Sequence, residues 1–127
     1  MNRLFAVAAL AAVLSPALAF AQAAPAGDAT KGAATFKMRC GVCHNVTGAD
    51  TPMAPSLKGV VGSKGGAHSP TFKYSDALKK AAPTWNAATL NTWISGPQKM
   101  VPGTKMLMVV PNPQDRADII AFLTTQK

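Results

Sequence analysis

Two cysteines and a histidine within five residues carry the most specific chemistry of this 127-residue chain. Cys40 and Cys43 are separated by two residues, and His44 follows the second cysteine directly. Each thiol can form a thioether with one vinyl group of a porphyrin, and the adjoining imidazole then lies where it can bind the iron. The Cys-x-x-Cys-His run therefore predicts covalent attachment of one haem c.

A Cys-x-x-Cys pair has three other common uses: a thiol redox pair, half of a zinc site, or a structural disulfide. A four-ligand zinc site needs two further Cys or His residues, and beyond this run the chain offers only His68. A redox pair of the thioredoxin type would lie in an alternating pattern of strands and helices, which the sequence does not show. Haem attachment is therefore the favoured interpretation.

The second axial position of the iron can stay open or bind Met, His or Lys. Most methionines in proteins fill core space, but Met106 follows Pro102-Gly103-Thr104-Lys105, a segment that is stiff yet can pass close to the porphyrin edge. His68 is the alternative, and it would give a bis-histidine site of lower potential. We expect His68 to be a solvated loop residue and Met106 to be the better candidate.

The first 21 residues have the pattern of a secretory signal peptide. A basic start is followed by uninterrupted apolar sequence over residues 4–14 and by Ala19-Phe20-Ala21, which suits a cleavage site. The apolar run is shorter than the ~20 residues that span a bilayer, so we do not expect stable membrane insertion. We expect cleavage after Ala21, a periplasmic location, a flexible lead over residues 22–27 and one domain over residues 28–127.

The helical pattern predicts an all-α domain of about four to five helices and long loops wrapped around the haem. Asp28 can cap a first helix over residues 29–42, and Ser75-Asp76 opens a short one that ends near residue 81. Asn86 can cap a third up to residue 95, and the last spans residues 113–125 with proline in its first turn. Residues 45–74 and 96–111 are rich in Gly and Pro and are predicted to be irregular.

Residues spread over nearly the whole of this predicted domain carry a resemblance to a known family. They are Gly27-Asp28, Gly32, Phe36, the Cys40–His44 run, Pro55, Tyr74, Trp85, Pro97, the Pro102–Met106 loop and the apolar side of the last helix. This set resembles class I cytochrome c, bacterial periplasmic and similar to the mitochondrial type, including the long separation of His44 from Met106.

The resemblance implies a role for each matching residue. His44 and Met106 would be the axial iron ligands, and the Pro55 carbonyl would accept the proton on the other ring nitrogen of His44. Tyr74 and Trp85 match residues that donate hydrogen bonds to a haem propionate, and Thr104 matches a residue near the propionate edge. Gly32 and Phe36 match a contact between the first and last helices, with Ile119 and Phe122 as partners. Lys99 and Lys105 match residues that can replace methionine at high pH.

The sequence also departs from the family pattern near the haem. Ser63 stands where mitochondrial members usually have arginine, Leu78 stands at a usually polar asparagine position, and Trp93 replaces a tyrosine beside the methionine. These departures concern the tuning of the potential and leave both expected iron ligands in place.

An iron with both faces bound has no position for substrate, so the expected function is a monohaem one-electron carrier, without catalytic residues, that cycles between Fe(II) and Fe(III). One alternative is a haem peroxidase or ligand sensor with a loosely held Met106, against which stands the lack of a recognisable distal acid–base pair. Another is a dedicated haem subunit of one dehydrogenase or oxidase.

The chain is basic, with 13 Lys and Arg against 5 Asp and Glu and a formal net charge of +8. Export would keep it from nucleic acid, and no nucleic-acid motif is present, so no nucleic-acid partner is expected. Five lysines belong to segments that should border the haem: Lys37, Lys58, Lys64, Lys99 and Lys105. We expect a monomer whose basic rim docks transiently on acidic faces of redox partners.

Overall fold

A computed structural model describes residues 24–127 of the chain, and the expected signal peptide at residues 1–21 lies outside this part. The described part contains five helices and no strand, with a single isolated β-bridge between Lys64 and Thr84. The helices are α1 (Ala29–Arg39), α2 (Asp76–Ala81), α3 (Ala87–Ser95), α4 (Pro97–Met100) and α5 (Pro113–Thr125). The predicted all-α class is confirmed. Within residues 24–127 no helix combines the length and apolar character needed to cross a bilayer.

The first and last helices, α1 and α5, cross in close contact. Gly32 lies at the crossing, where a β-carbon would come within 1.8 Å of the Asp118 carbonyl oxygen. One turn later Phe36 packs on Phe122 with ring centroids 5.2 Å apart. The buried Asp118 carboxylate also accepts the Asp28 backbone N–H at 2.8 Å, at the residue that caps α1. This crossing fixes α1, which leads directly into the cysteine run.

The end of the expected flexible lead touches α5. The Ala26 carbonyl accepts a hydrogen bond from the Gln114 side chain at 2.8 Å. A β-carbon at Gly27 would lie 2.1 Å from the Ala117 carbonyl oxygen. The chain therefore approaches α1 along the surface of α5.

Helix α1 ends at Arg39, three residues before the predicted end at Val42. The Gly41 N–H bonds to the Phe36 carbonyl at 2.8 Å, five residues back, and this breaks the helical i−4 register. The chain then turns, with the His44 N–H on the Cys40 carbonyl at 2.8 Å. The turn brings both thiols and the imidazole to the interior side of α1.

Residues 96–111 are not wholly irregular as predicted, because one helical turn, α4, forms at Pro97–Met100. Proline breaks a helix in its interior, but at the first helical position its missing N–H costs nothing and its fixed φ suits the helix. Beyond α4 the chain returns to irregular structure up to α5, as predicted.

Candidate functional site

The helices and loops enclose one large apolar cavity of about 360 Å³, within the usual range for ligand and cofactor pockets. Its walls come from α1, α2, α3 and α5 and from the two long irregular segments. The predicted site residues all line it: Cys40, Cys43, His44, Pro55, Tyr74, Trp85, Thr104 and Met106. Residues that are up to 66 positions apart in the chain, such as Cys40 and Met106, thus meet in one cavity.

His44 is oriented by a backbone carbonyl. Its Nδ1 lies 2.8 Å from the Pro55 carbonyl oxygen, and because that oxygen only accepts, Nδ1 carries the proton. Nε2 is left as the ring nitrogen that can bind a metal. Burial lowers the pKa of His44, against a smaller opposing effect of the Pro55 hydrogen bond. The imidazole is therefore neutral at neutral pH, which is its metal-binding form.

The two thiols are free and half-buried at the edge of the same cavity. Burial raises the pKa of Cys40 to about 11, with the Arg39 charge opposing the shift and Cys43 adding to it. A thiol with so high a pKa is a poor redox nucleophile or thiolate ligand. Across residues 24–127 no group of three or more His, Cys, Asp or Glu side chains is placed to hold a metal ion. Both findings disfavour the thiol redox and zinc interpretations.

Met106 reaches the cavity on the irregular chain that follows α4, where it is half-buried. The Gln98 side chain, from α4, donates hydrogen bonds to the carbonyls of Thr104 and, at 3.4 Å, of Met106. Lys105 Nζ donates to the Lys73 carbonyl at 3.0 Å. Sequence reasoning missed Gln98, because no sequence pattern indicates that a glutamine on a one-turn helix will hydrogen-bond to backbone carbonyls of a later segment.

Three polar or amphipathic side chains complete the wall. The Tyr74 hydroxyl accepts the Ser69 N–H at 2.9 Å and keeps its own proton to donate. Burial is the main cause of a raised pKa for Tyr74, so the hydroxyl stays protonated. Trp85 is buried and packs on Trp93 with centroids 5.2 Å apart, and Thr104 is buried and also lines the cavity.

His68 differs from its expectation, because it is half-buried and lines the cavity instead of being solvated. Gly65 and Gly66 draw its loop inward: β-carbons there would lie 2.8 Å from Pro83 and 2.7 Å from the Lys79 backbone. Met53, Met100, Met106 and Met108 were the methionines open as the second ligand, and of these Met53, Met106 and Met108 line the cavity together with His44 and His68.

The donor set fits a covalently held haem c. Two thiols stand at the attachment spacing, a neutral imidazole offers Nε2, the walls are apolar, and hydrogen-bond donors are present at Tyr74 and Trp85. All five lysines of the expected rim are exposed, and Lys105 also lines the cavity. Arg39, which sequence reasoning did not single out, adds a second positive charge to the lining.

Comparison with known proteins gives concordant matches. The family model described as Cytochrome c matches residues 29–127. Cytochrome c2 of Rhodomicrobium vannielii is 50% identical over 108 residues, covering 84% of this chain and 85% of the relative. Cytochrome c2 of Rhodopila globiformis is 44% identical over 105 residues, covering 82% and 98%. In structure, the chain is similar to cytochrome cH from Methylobacterium extorquens, with a TM-score of 0.73, 44% identity and coverage of 78% of this chain and 99% of that one.

Proposed function

The chain belongs to the cytochrome c family of electron carriers and carries one covalently bound haem c, and on that premise we propose that His44 and Met106 are the axial iron ligands of a periplasmic one-electron carrier. The observation that carries the proposal is the meeting of both residues in one cavity, with the Nδ1 of His44 engaged by Pro55 and Nε2 available.

The protein's part in this function is to bind, orient and shield. Cys40 and Cys43 would hold the haem covalently, and the bound group supplies the one-electron couple Fe(II)/Fe(III). His44 and Met106 would occupy both axial positions and leave none for oxygen or a substrate. Methionine ligation together with apolar walls favours the reduced state and raises the potential relative to a bis-histidine site.

Tyr74, Trp85 and Thr104 form the polar part of the wall in this proposal. The free hydroxyl proton of Tyr74 and the Trp85 indole N–H are donors suited to propionate oxygens. Thr104 lies buried on the same wall, two residues before Met106. Two donors in a mostly apolar cavity would stabilise the carboxylate end of the cofactor.

The expected partners are acidic faces of other redox proteins, either membrane complexes or periplasmic oxidoreductases. Lys105 and Arg39 line the cavity, and Lys37, Lys58, Lys64 and Lys99 are exposed. Such a basic surface favours fast, brief encounters of a monomer with an acidic patch. The periplasmic location rests on the leader pattern of residues 1–21.

The far-red absorption band of ferric haem with a methionine–iron bond tests the proposal. We expect the wild-type holoprotein to be low-spin with this band and Met106→Ala to lose it. His68→Ala is the matched control, because His68 lines the same cavity, and we expect it to keep the band.

Three outcomes would contradict the proposal. A band that survives in Met106→Ala would make another methionine the ligand. A wild-type spectrum without the band that changes in His68→Ala would make the site bis-histidine, and a high-spin wild-type spectrum would argue against a closed electron carrier.

A further inference from the structure

Asp50 lies in the loop between His44 and Pro55, and its carboxylate accepts three hydrogen bonds. Its Oδ1 accepts the Ser56 backbone N–H at 2.9 Å. Its Oδ2 accepts the hydroxyls of Ser69 and Thr71, each at 2.6 Å. These hydroxyls are 19 and 21 positions away in the chain, so one carboxylate joins two separate loops.

Each joined loop holds a residue of the cavity wall. The proximal loop, residues 45–56, ends with Pro55, the hydrogen-bond partner of His44, and Ser56, which bonds Asp50. The tyrosine loop, residues 68–74, contains Ser69, whose N–H donates to the Tyr74 hydroxyl at 2.9 Å. Displacement of the proximal loop would therefore move the carbonyl that orients His44, and displacement of the tyrosine loop would remove the two hydroxyls that hold the proximal loop through Asp50.

The bridge is charge-assisted. Hydrogen bonds from Ser69 and Thr71 are the main causes of a lowered pKa for Asp50, followed by the Ser56 N–H, and His68 adds a smaller effect in the same direction. Hydrogen bonds to an ionised acceptor are about twice as strong as neutral ones. The other titratable or charged groups around this carboxylate are His68, Lys73, Tyr74 and Lys105.

We propose that Asp50 is a positioning residue for the iron site: its carboxylate fastens the proximal loop to the tyrosine loop and thereby keeps the Pro55 carbonyl on His44. The proposal rests on His44 as an iron ligand, as proposed above. It assigns to Asp50 a part in setting the hydrogen bond of the proximal imidazole, which controls how strongly that ligand donates to the metal.

Two variants separate the bridge from the charge. Asp50→Asn removes the charge, whereas the double variant Ser69→Ala/Thr71→Val removes the donors and keeps the charge. Asp115→Asn is the control, because it deletes a carboxylate whose only salt-bridge partner across residues 24–127 is Arg39, at 3.6 Å.

The measurement is hydrogen exchange of the His44 Nδ1–H and of backbone amides, by NMR on the reduced holoprotein. We expect exchange of the His44 Nδ1–H to rise about tenfold in both test variants, which corresponds to ~1.4 kcal/mol of lost loop protection. In both test variants the backbone amides of α1 and α5 should exchange at wild-type rates. In the Asp115→Asn control the His44 Nδ1–H should also exchange at its wild-type rate. The reduction potential should rise in both test variants, because a weaker Pro55 hydrogen bond makes His44 a poorer donor to ferric iron.

Acid pH provides a second measurement. Since the pKa of Asp50 is lowered in the folded protein, its contribution is fully present above the unfolded value of about 4 and is lost as pH falls through the lower folded value. The difference in melting temperature between wild type and Asp50→Asn should therefore be largest near neutral pH and narrow below about pH 4.

Three results would overturn the proposal. An unchanged His44 Nδ1–H rate in both variants would leave Asp50 as a surface residue, and a response to Asp50→Asn alone would indicate a charge effect without a bridge. Equal acceleration in α1 and α5 would indicate global destabilisation. The far-red band reports Met106 independently, so its absence would contradict the methionine assignment without touching this test.

Discussion

Gln98 is a single side chain that holds the loop of Met106, the proposed iron ligand, in place. Its amide donates to the carbonyls of Thr104 and Met106, so it spans the three residues that present the methionine. The helix that carries it has only four residues, and Pro97 at its start is buried. Gln98 therefore ties the methionine loop to a fixed point of the fold.

Removing this amide should make Met106 easier to displace. A typical hydrogen bond contributes about 1 kcal/mol, which is roughly a fivefold change in an equilibrium constant. We expect Gln98→Ala to bind added imidazole at the ferric iron several-fold more tightly than wild type, measured by loss of the far-red band. Lys80→Ala is the control, because Lys80 is exposed on α2, lies outside the cavity lining and makes no side-chain hydrogen bond or ion pair within residues 24–127. Equal imidazole affinity in Gln98→Ala and wild type would rule out this role.

At the scale of elements, the crossing of α1 and α5 has no spare room. A β-carbon at Gly32 would meet the carbonyl of Asp118 at 1.8 Å from its oxygen and 2.5 Å from its carbon, and both atoms belong to the backbone. Neither can rotate aside as a side chain would. The two helices must separate if the glycine gains a side chain.

We expect Gly32→Ala to lower the free energy of unfolding by about 3 kcal/mol or more, at the upper end of the range for overpacked sites. Denaturant unfolding of the holoprotein, followed by circular dichroism, measures this. Ala34→Gly, at an exposed position of the same helix, should cost only about 1 kcal/mol. Equal stability of Gly32→Ala and wild type would show that the helices do not meet as described.

Elements with a local signal were predictable from the sequence. Asn112 followed by Pro113 marks the start of α5, and α5 lies within its predicted bounds because cap and first-turn proline act within a few residues. The early end of α1 was not predictable, because it depends on a hydrogen bond from the Gly41 N–H to the Phe36 carbonyl. Helix α4 was not predictable either, because a proline such as Pro97 can start a helix as well as break one. Asp50 and Gln98 escaped prediction because their partners lie elsewhere in the chain and are chosen by tertiary packing.

In the candidate site too, features set by local sequence were predictable and features set by tertiary packing were not. Cys40, Cys43 and His44 lie within five residues of one another, and their chemistry was predictable from spacing alone. The joint lining of one cavity by Met106 and Tyr74 is a product of loop packing, which the family resemblance implied and which no local pattern contains. The expected exposure of His68 was wrong for the same reason. Close approaches of Gly65 to Pro83 and of Gly66 to α2 draw its loop inward.

At the scale of the whole molecule, positive charge is in excess, because the chain has 13 Lys and Arg but only 5 Asp and Glu. Within residues 24–127 only two ion pairs form, Arg39 with Asp115 and Lys79 with Asp76. Most positive charge is therefore left to act on the surroundings. At physiological ionic strength this attraction reaches about 8 Å before salt screens it.

The rate of electron transfer to an acidic redox protein should accordingly fall about tenfold or more between low and high salt. Stopped-flow mixing at increasing ionic strength measures it. Lys105→Gln, at the cavity edge, should lower the low-salt rate, whereas Lys31→Gln, near the start of α1 and away from the cavity lining, should change it less. A rate independent of ionic strength would contradict the basic docking surface.

The pairing of α1 with α5 also has a consequence for the order of biosynthesis. The Asp28 N–H and the Asp118 carboxylate that it contacts are 90 positions apart, and α5 is the last helix in chain order. Until α5 has been made, Gly32 lacks the backbone it packs on, Phe36 lacks its contact with Phe122, and the cavity lacks the walls supplied by Ile119 and Leu123. Cys40 and Cys43, the proposed attachment residues, are thus made while the chain is still open, which leaves a period in which their thioethers can form before α1 and α5 pack together.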